Sequence, residues 1–205
     1  MTSVYLCQDI YGFDLQQALA RVSGQRRQQA LRYRQERDRR LCVAAYRLLQ
    51  LALQRQYGIG EPPQFTYTSK GKPLLAGHRH IHCSLSHCQS AAAVAVSDHP
   101  VGIDIETRDH YSEEVAARVM SGDEMRRILT STDPAGEFTH LWTMKESLYK
   151  LTGDDSGGNP ARMLEEADDD AFRTIDGGDW ILTVCLGRAS HADGLDLVLE
   201  VVTIA

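Results

Sequence analysis

Residues 81–106 read IHCSLSHCQSAAAVAVSDHPVGIDIE, and this stretch decides the fold class. Ile81–His87 alternates, Ala91–Ser97 is small and apolar, and Val101–Glu106 follows the His99-Pro100 turn. Short runs of this kind bounded by turn residues predict strands. Working outward, QFTYTS (64–69) predicts another strand, set off by Gly71, Pro73 and Gly77, and VYLC near the start predicts one more. From Ser23 to about Tyr57 the chain lacks proline and carries the apolar run Leu41–Leu53, which predicts a buried helix ending at Gly58, Gly60 and Pro62-Pro63. On the other side, Ser112–Met120, Gly122–Leu129 with Ser121 as N-cap, and Glu137–Leu151 predict helices. DWILTVCLG (179–187) and GLDLVLEVVTI (194–204) predict two closing strands.

Each half therefore runs helices first and strands afterwards, with a boundary near Pro100. The expectation is an α+β, pseudo-duplicated, two-lobed fold. Each lobe is a small antiparallel sheet packed with helices, residues 1–100 forming one and 101–205 the other, with the active site between them. TGDDSGGNP (152–160) and EEADDD (165–170) read as solvated loops or helix ends.

Charge follows the same division. The net charge of the 205 residues is −6, but residues 1–100 carry +7 and residues 101–205 carry −13. A basic half suits a polyanionic ligand and an acidic half suits a hard cation, so the split suits a phosphate–metal complex. The opening MTSVYLCQDIYGFDL lacks the basic start and apolar run of a signal peptide, and no stretch approaches the roughly 18 apolar residues of a membrane span. Five scattered cysteines without a CxxC pair are not a disulfide framework. A cytoplasmic protein is expected, without membrane partners.

On a strand, Asp104 and Glu106 project from one face while Ile103 and Ile105 face the core. Paired carboxylates suit Mg²⁺; a solvated strand face is the plainer alternative. WTMKESLYK (142–150) places Glu146 and Lys150 one helical turn apart, either as an exposed salt bridge or as a third carboxylate and a charge for a phosphoryl oxygen. SKGKP (69–73) exposes Lys70 and Lys72 on a turn, and the Ser86-His87 pair at a strand end suits phosphate oxygens. Arg47 interrupts an apolar helix and calls for an anionic partner.

Two rival patterns lose ground on spacing. His78, His80 and His82 are splayed along one strand face, and Cys83 points away from His82, which hinders tetrahedral zinc. The arginine-rich stretch 26–40 is interleaved with Glu36 and Asp38 and lacks an aromatic RNA-binding motif, so a solvated helix face is expected rather than a nucleic-acid surface.

GIDIE (102–106) followed some 40 residues later by WxxKESxxK, and preceded by GKP and a Ser-His pair, resembles the 4′-phosphopantetheinyl transferases of the Sfp type, the two-domain, monomeric group of that superfamily. The resemblance runs from roughly Arg32 to Lys150. It implies Mg²⁺-dependent transfer of the phosphopantetheine arm of coenzyme A to a serine of an apo acyl or peptidyl carrier protein, releasing adenosine 3′,5′-bisphosphate. It implies Asp104, Glu106 and Glu146 as metal ligands, Lys150 as stabiliser of pyrophosphate charge, and Ser86 and His87 on its oxygens. Lys70, Lys72 and Pro73 of the turn, with Arg40 and Arg47, would take the 3′-phosphate and adenosine end. Glu146 would also serve as general base, directly or through a water. The acidic 152–160 loop departs from the family pattern, and carrier proteins are themselves acidic, so docking is expected at Met120, Met125, Arg126 and Arg127. A silent binding or scaffold domain of the same fold is the alternative; the presence of all three carboxylates and Lys150 favours the enzyme. Two halves framing one site imply a monomer.

Overall fold

The computed structural model describes residues 1–153, 159–187 and 197–204. The loop expectation for 154–158 and the first residues of the last expected strand lie outside these. β1 (Thr2–Cys7) leads into α1 (Leu15–Arg21), α2 (Gly24–Arg32) and α3 (Glu36–Tyr57), then β2 (Phe65–Tyr67), β3 (Pro73–Leu75), β4 (His82–His87) and β5 (Ala92–Ser97). The second half runs β6 (Val101–Thr107), α4 (Glu113–Val119), α5 (Gly122–Thr130), α6 (Pro134–Thr152), β7 (Phe172–Asp176), β8 (Trp180–Leu186) and β9 (Leu197–Val201). The α+β class expected from the sequence is the one observed, with each half running strand, helices, strands.

Four layers stack. On one face of the sheet β4-β5-β1-β9, Tyr5, Cys7, Val94 and Val96 pack on Tyr46, Leu48 and Leu49 of α3. On its other face Val4, Leu6, Ala93 and Ala95 meet Ile103, Ile105, Leu182 and Val184 of the sheet β6-β8-β7. Behind that second sheet, Phe138, Leu141 and Met144 of α6 pack with Phe172 and Cys185. Sheets covered on both faces need apolar side chains at successive positions, which is why AAAVAV does not alternate. Each large apolar side chain so buried contributes about 1.5–3 kcal/mol.

Five elements differ from expectation. The long helix predicted from Ser23 is two, because Tyr33 and Gln35 adopt extended backbone and α3 restarts at Glu36. The stretch between is polar and offers no apolar face to bury, and the Tyr33 carbonyl accepts from Arg39 Nε at 2.8 Å to hold the corner. The last strand, read as part of the second half, lies beside β1 in the first sheet, parallel to it. α1, β3 and β7 were not expected from the sequence.

The edges of the two sheets meet at β4 and β6. Ser84 Oγ accepts the Ile103 N–H at 3.1 Å, satisfying an edge donor that β6 cannot pair within its own sheet. Gly102 lets α6 lie directly on β6, since a Cβ there would sit 1.9 Å from the Ser147 carbonyl oxygen. Strand edge and helix thus converge on one corner.

Candidate active site

The corner is built around Asp104, only 2% exposed on β6. Its Oδ1 accepts from Ser86 Oγ of β4 at 2.7 Å and from Lys150 Nζ of α6 at 2.6 Å, and Lys150 also donates to Ser86 Oγ at 2.9 Å. Lys150 reaches across to β6 for this ion pair. Asp104 Oδ2 is buried with no hydrogen-bond partner among the described residues. A buried carboxylate oxygen left in that state is costly, and it is the kind of atom a cation satisfies.

Asp104, Glu106 and Glu146 line one cavity of about 330 Å³, with Ser86, His87 and Lys150. Burial, then the charge of Asp104, pushes Glu106 up to about 8. The same two causes, in that order, raise Glu146. Loss of hydration, then Lys150, lowers His87. Lys150 pulls both glutamates the other way without offsetting burial and the Asp104 charge. No three metal-ligating side chains gather closely enough to form a ready-made cluster among the described residues. The Lys150 ammonium already sits on one Asp104 oxygen. The hard oxygen donors, the orphaned Oδ2 and the shared cavity nevertheless fit a hard divalent ion.

A second cavity of about 310 Å³ contains Lys70, Lys72 and Pro73 together with Tyr67 and Tyr149. Both cavities are lined by Arg26, Gln29, Leu85 and Lys150, so they adjoin as the two ends of one cleft. Arg40 and Arg47 line neither of the two. Arg40 donates to the carbonyls of Phe13 (2.8 Å) and Ile10 (3.4 Å), pairs with Glu36 and stacks on Tyr11 and Phe13. Arg47 donates to Gln50 Oε1 at 3.1 Å, and burial followed by Arg21 lowers its pKa. Met120, expected at a docking face, is a core residue at 5% exposure, while Arg126 and Arg127 are exposed and paired with Asp123 and Glu137.

Arg26, Gln29 and Tyr33 were missed as site residues. The spacing of three places Arg26 and Gln29 on one face of the helix that Ser23 caps, with Tyr33 following at its C-terminal end, so part of the signal was present. It was obscured because the surrounding arginines read as one solvated stretch. The guanidinium of Arg26 lies over Tyr46 and Phe65, 5.1 and 5.5 Å from the ring centroids. Lys145, within the KES motif, points away from the cleft: it pairs with Glu124 at 2.8 Å and donates to the Pro160 carbonyl, fully buried.

Residues 100–193, which hold both GIDIE and the KES helix, match the 4′-phosphopantetheinyl transferase superfamily. The resemblance to that superfamily is thus borne out over this stretch. Among relatives of these transferases, the chain is 35% identical over 135 residues to the 4′-phosphopantetheinyl transferase psf-1 of Bacillus pumilus, covering 64% of this chain and 58% of that one. It is 29% identical to the Sfp transferase of Bacillus subtilis strain 168, over 64% of this chain and 60% of the relative. The chain thus spans under two thirds of the length of these two relatives. A third transferase, from Bacillus subtilis, is 25% identical over 95% of both chains. The holo-[acyl-carrier-protein] synthase of Thermotoga maritima aligns over 43% of this chain and 64% of its own, at 16% identity and a TM-score of 0.27. Among the described residues no helix is long and apolar enough to cross a membrane.

Proposed function

We propose that the chain transfers the 4′-phosphopantetheine arm of coenzyme A to a serine of an apo acyl or peptidyl carrier protein in the cytoplasm, leaving adenosine 3′,5′-bisphosphate. The observation that carries this reading is the orphaned Asp104 Oδ2, buried in a cavity that also holds Glu106, Glu146 and Lys150. Asp104, Glu106 and Glu146 would hold Mg²⁺, which when bound supplies Lewis-acid neutralisation of the pyrophosphate charge.

The chain's own residues do the rest. Arg26, Lys70, Lys72 and Pro73 line the end of the cleft that takes the adenosine and 3′-phosphate, while Ser86 and His87 lie beside the pyrophosphate. Glu146, its pKa raised by burial and Asp104, takes the proton of the attacking serine hydroxyl. As the new serine–phosphorus bond forms and the bond to the leaving phosphate breaks, Lys150 compensates the charge on the leaving oxygen. Alignment and charge compensation suffice for displacement at phosphorus, so no protein nucleophile is required.

The test is transfer of a fluorescent coenzyme A conjugate to apo carrier proteins in the presence of Mg²⁺. Labelling by the native chain and its loss in Asp104→Ala are expected. No labelling of any carrier tried would favour a silent binding domain of the same fold.

A further inference from the structure

The turn 68–72 is held rigid from within. Thr68 N–H donates to the Lys72 carbonyl at 3.0 Å, Thr68 Oγ1 accepts the Lys72 N–H at 3.0 Å, and Gly71, at φ +82°, donates to the Thr68 carbonyl. The hairpin β2–β3 that carries this turn is two-stranded and separate from both sheets, and such a unit is marginal alone. It is anchored to the second half of the molecule by a side chain. Lys72 Nζ donates to the Leu151 carbonyl, 79 residues away, at 2.7 Å, part-buried. The neighbouring Lys70 side chain lies against Gly153, where α6 ends in left-handed backbone.

Leu151 lies in the last turn of α6, whose carbonyls have no partner within the helix. The residue before it is Lys150, whose ammonium reaches Asp104 and Ser86. We propose that Lys72 is a positioning residue for Lys150: by gripping the Leu151 carbonyl it fixes the last turn of α6, and so the place of the ammonium in the cleft. An ammonium has three donors, and Lys72 also lines the 310 Å³ cavity, so an anionic ligand can be met without releasing the helix. The inference rests on the reading of Lys150 as the group that compensates leaving-group charge.

The experiment combines amide hydrogen exchange on the free protein with steady-state kinetics, using Lys72→Met, which keeps the stem and removes the donors, and Lys72→Arg, which keeps donors. In Lys72→Met, exchange within residues 149–153 should accelerate about tenfold or more while the melting transition remains cooperative, and Lys72→Arg should restore much of the protection. Lys72→Met should lower kcat by on the order of ten- to a hundredfold, the cost of a small misplacement of a reacting group. In a Lys150→Ala background the same substitution should change kcat by no more than about threefold, because its effect passes through that side chain. Unchanged exchange, fully multiplicative kcat losses, or a rise in coenzyme A KM alone would overturn the proposal. If native chain and Lys150→Ala transfer equally, the reading of Lys150 is what fails, and the exchange measurement still decides whether the tether exists.

Discussion

Asp104 holds its two oxygens in unequal circumstances, one shared by Ser86 and Lys150 and one buried without a partner. Glu106 beside it titrates near 8 rather than at the usual 4.5, so the fold favours its protonated form. A carboxyl with a raised folded-state pKa contributes stability that is complete below its unfolded value and is lost as pH rises through the folded value. In chelator, the native chain should therefore lose stability between about pH 4.5 and pH 8, by up to about 5 kcal/mol through Glu106, with Glu146 acting in the same direction. Glu106→Gln should flatten that slope, and Mg²⁺ should restore the native chain at the alkaline end; denaturant midpoints across pH measure both. Equal slopes in the two proteins would separate Glu106 from the effect. At this scale the sequence was informative, because period-two spacing puts both carboxylates on one face of any strand. It could not reveal that Lys150 spans from α6 to β6, nor that Arg40 is occupied by loop carbonyls. Those outcomes depend on which elements become neighbours.

Among the elements, α6 carries both Glu146 and Lys150, and its seat on β6 depends on a missing side chain. At Gly102 a methyl group would meet two backbone atoms, the Ser147 oxygen at 1.9 Å and the Leu151 nitrogen at 2.7 Å, neither of which can rotate away. Gly102→Ala should push α6 off the strand, destabilising the protein by about 2–3 kcal/mol and lowering kcat more than tenfold as Lys150 withdraws from Asp104. Urea midpoints and transfer kinetics would register the two together; a stable variant with full activity would mean the helix has slack. GIDIE was legible as strand and metal face, but its glycine was silent, since close approach of a helix 45 residues later leaves no local trace. The helices α4 and α5 were legible from Ser112 and Ser121, and the latter forms a reciprocal capping box with Glu124. The break between α2 and α3 was not, because no proline or glycine marks it and the corner is held by the Arg39 side chain on the Tyr33 carbonyl.

In the whole molecule, both halves of the chain line the cleft. β4, α2 and the β2–β3 hairpin come from the basic half, and β6 and α6 come from the acidic half. The division of charge was read directly from the sequence, yet the return of β9 to β1 was not, because a short apolar strand carries no label for its partner. That return leaves β9 at the edge of the first sheet, with Val198 and Val201 50% and 61% exposed. Exposed edges invite pairing between copies unless charge or brevity blunts them. β9 has five residues, and its Glu200 is paired with Arg55 of α3. We expect a single-chain mass of 22.9 kDa by light scattering from about 1 to 100 µM, a range that would reveal weak edge pairing. A mass that doubles with concentration and reverts in Val201→Lys would place the contact on this edge and leave the cleft a one-chain site. Doubling that survives Val201→Lys and tracks with activity would instead mean that a second copy completes the cleft.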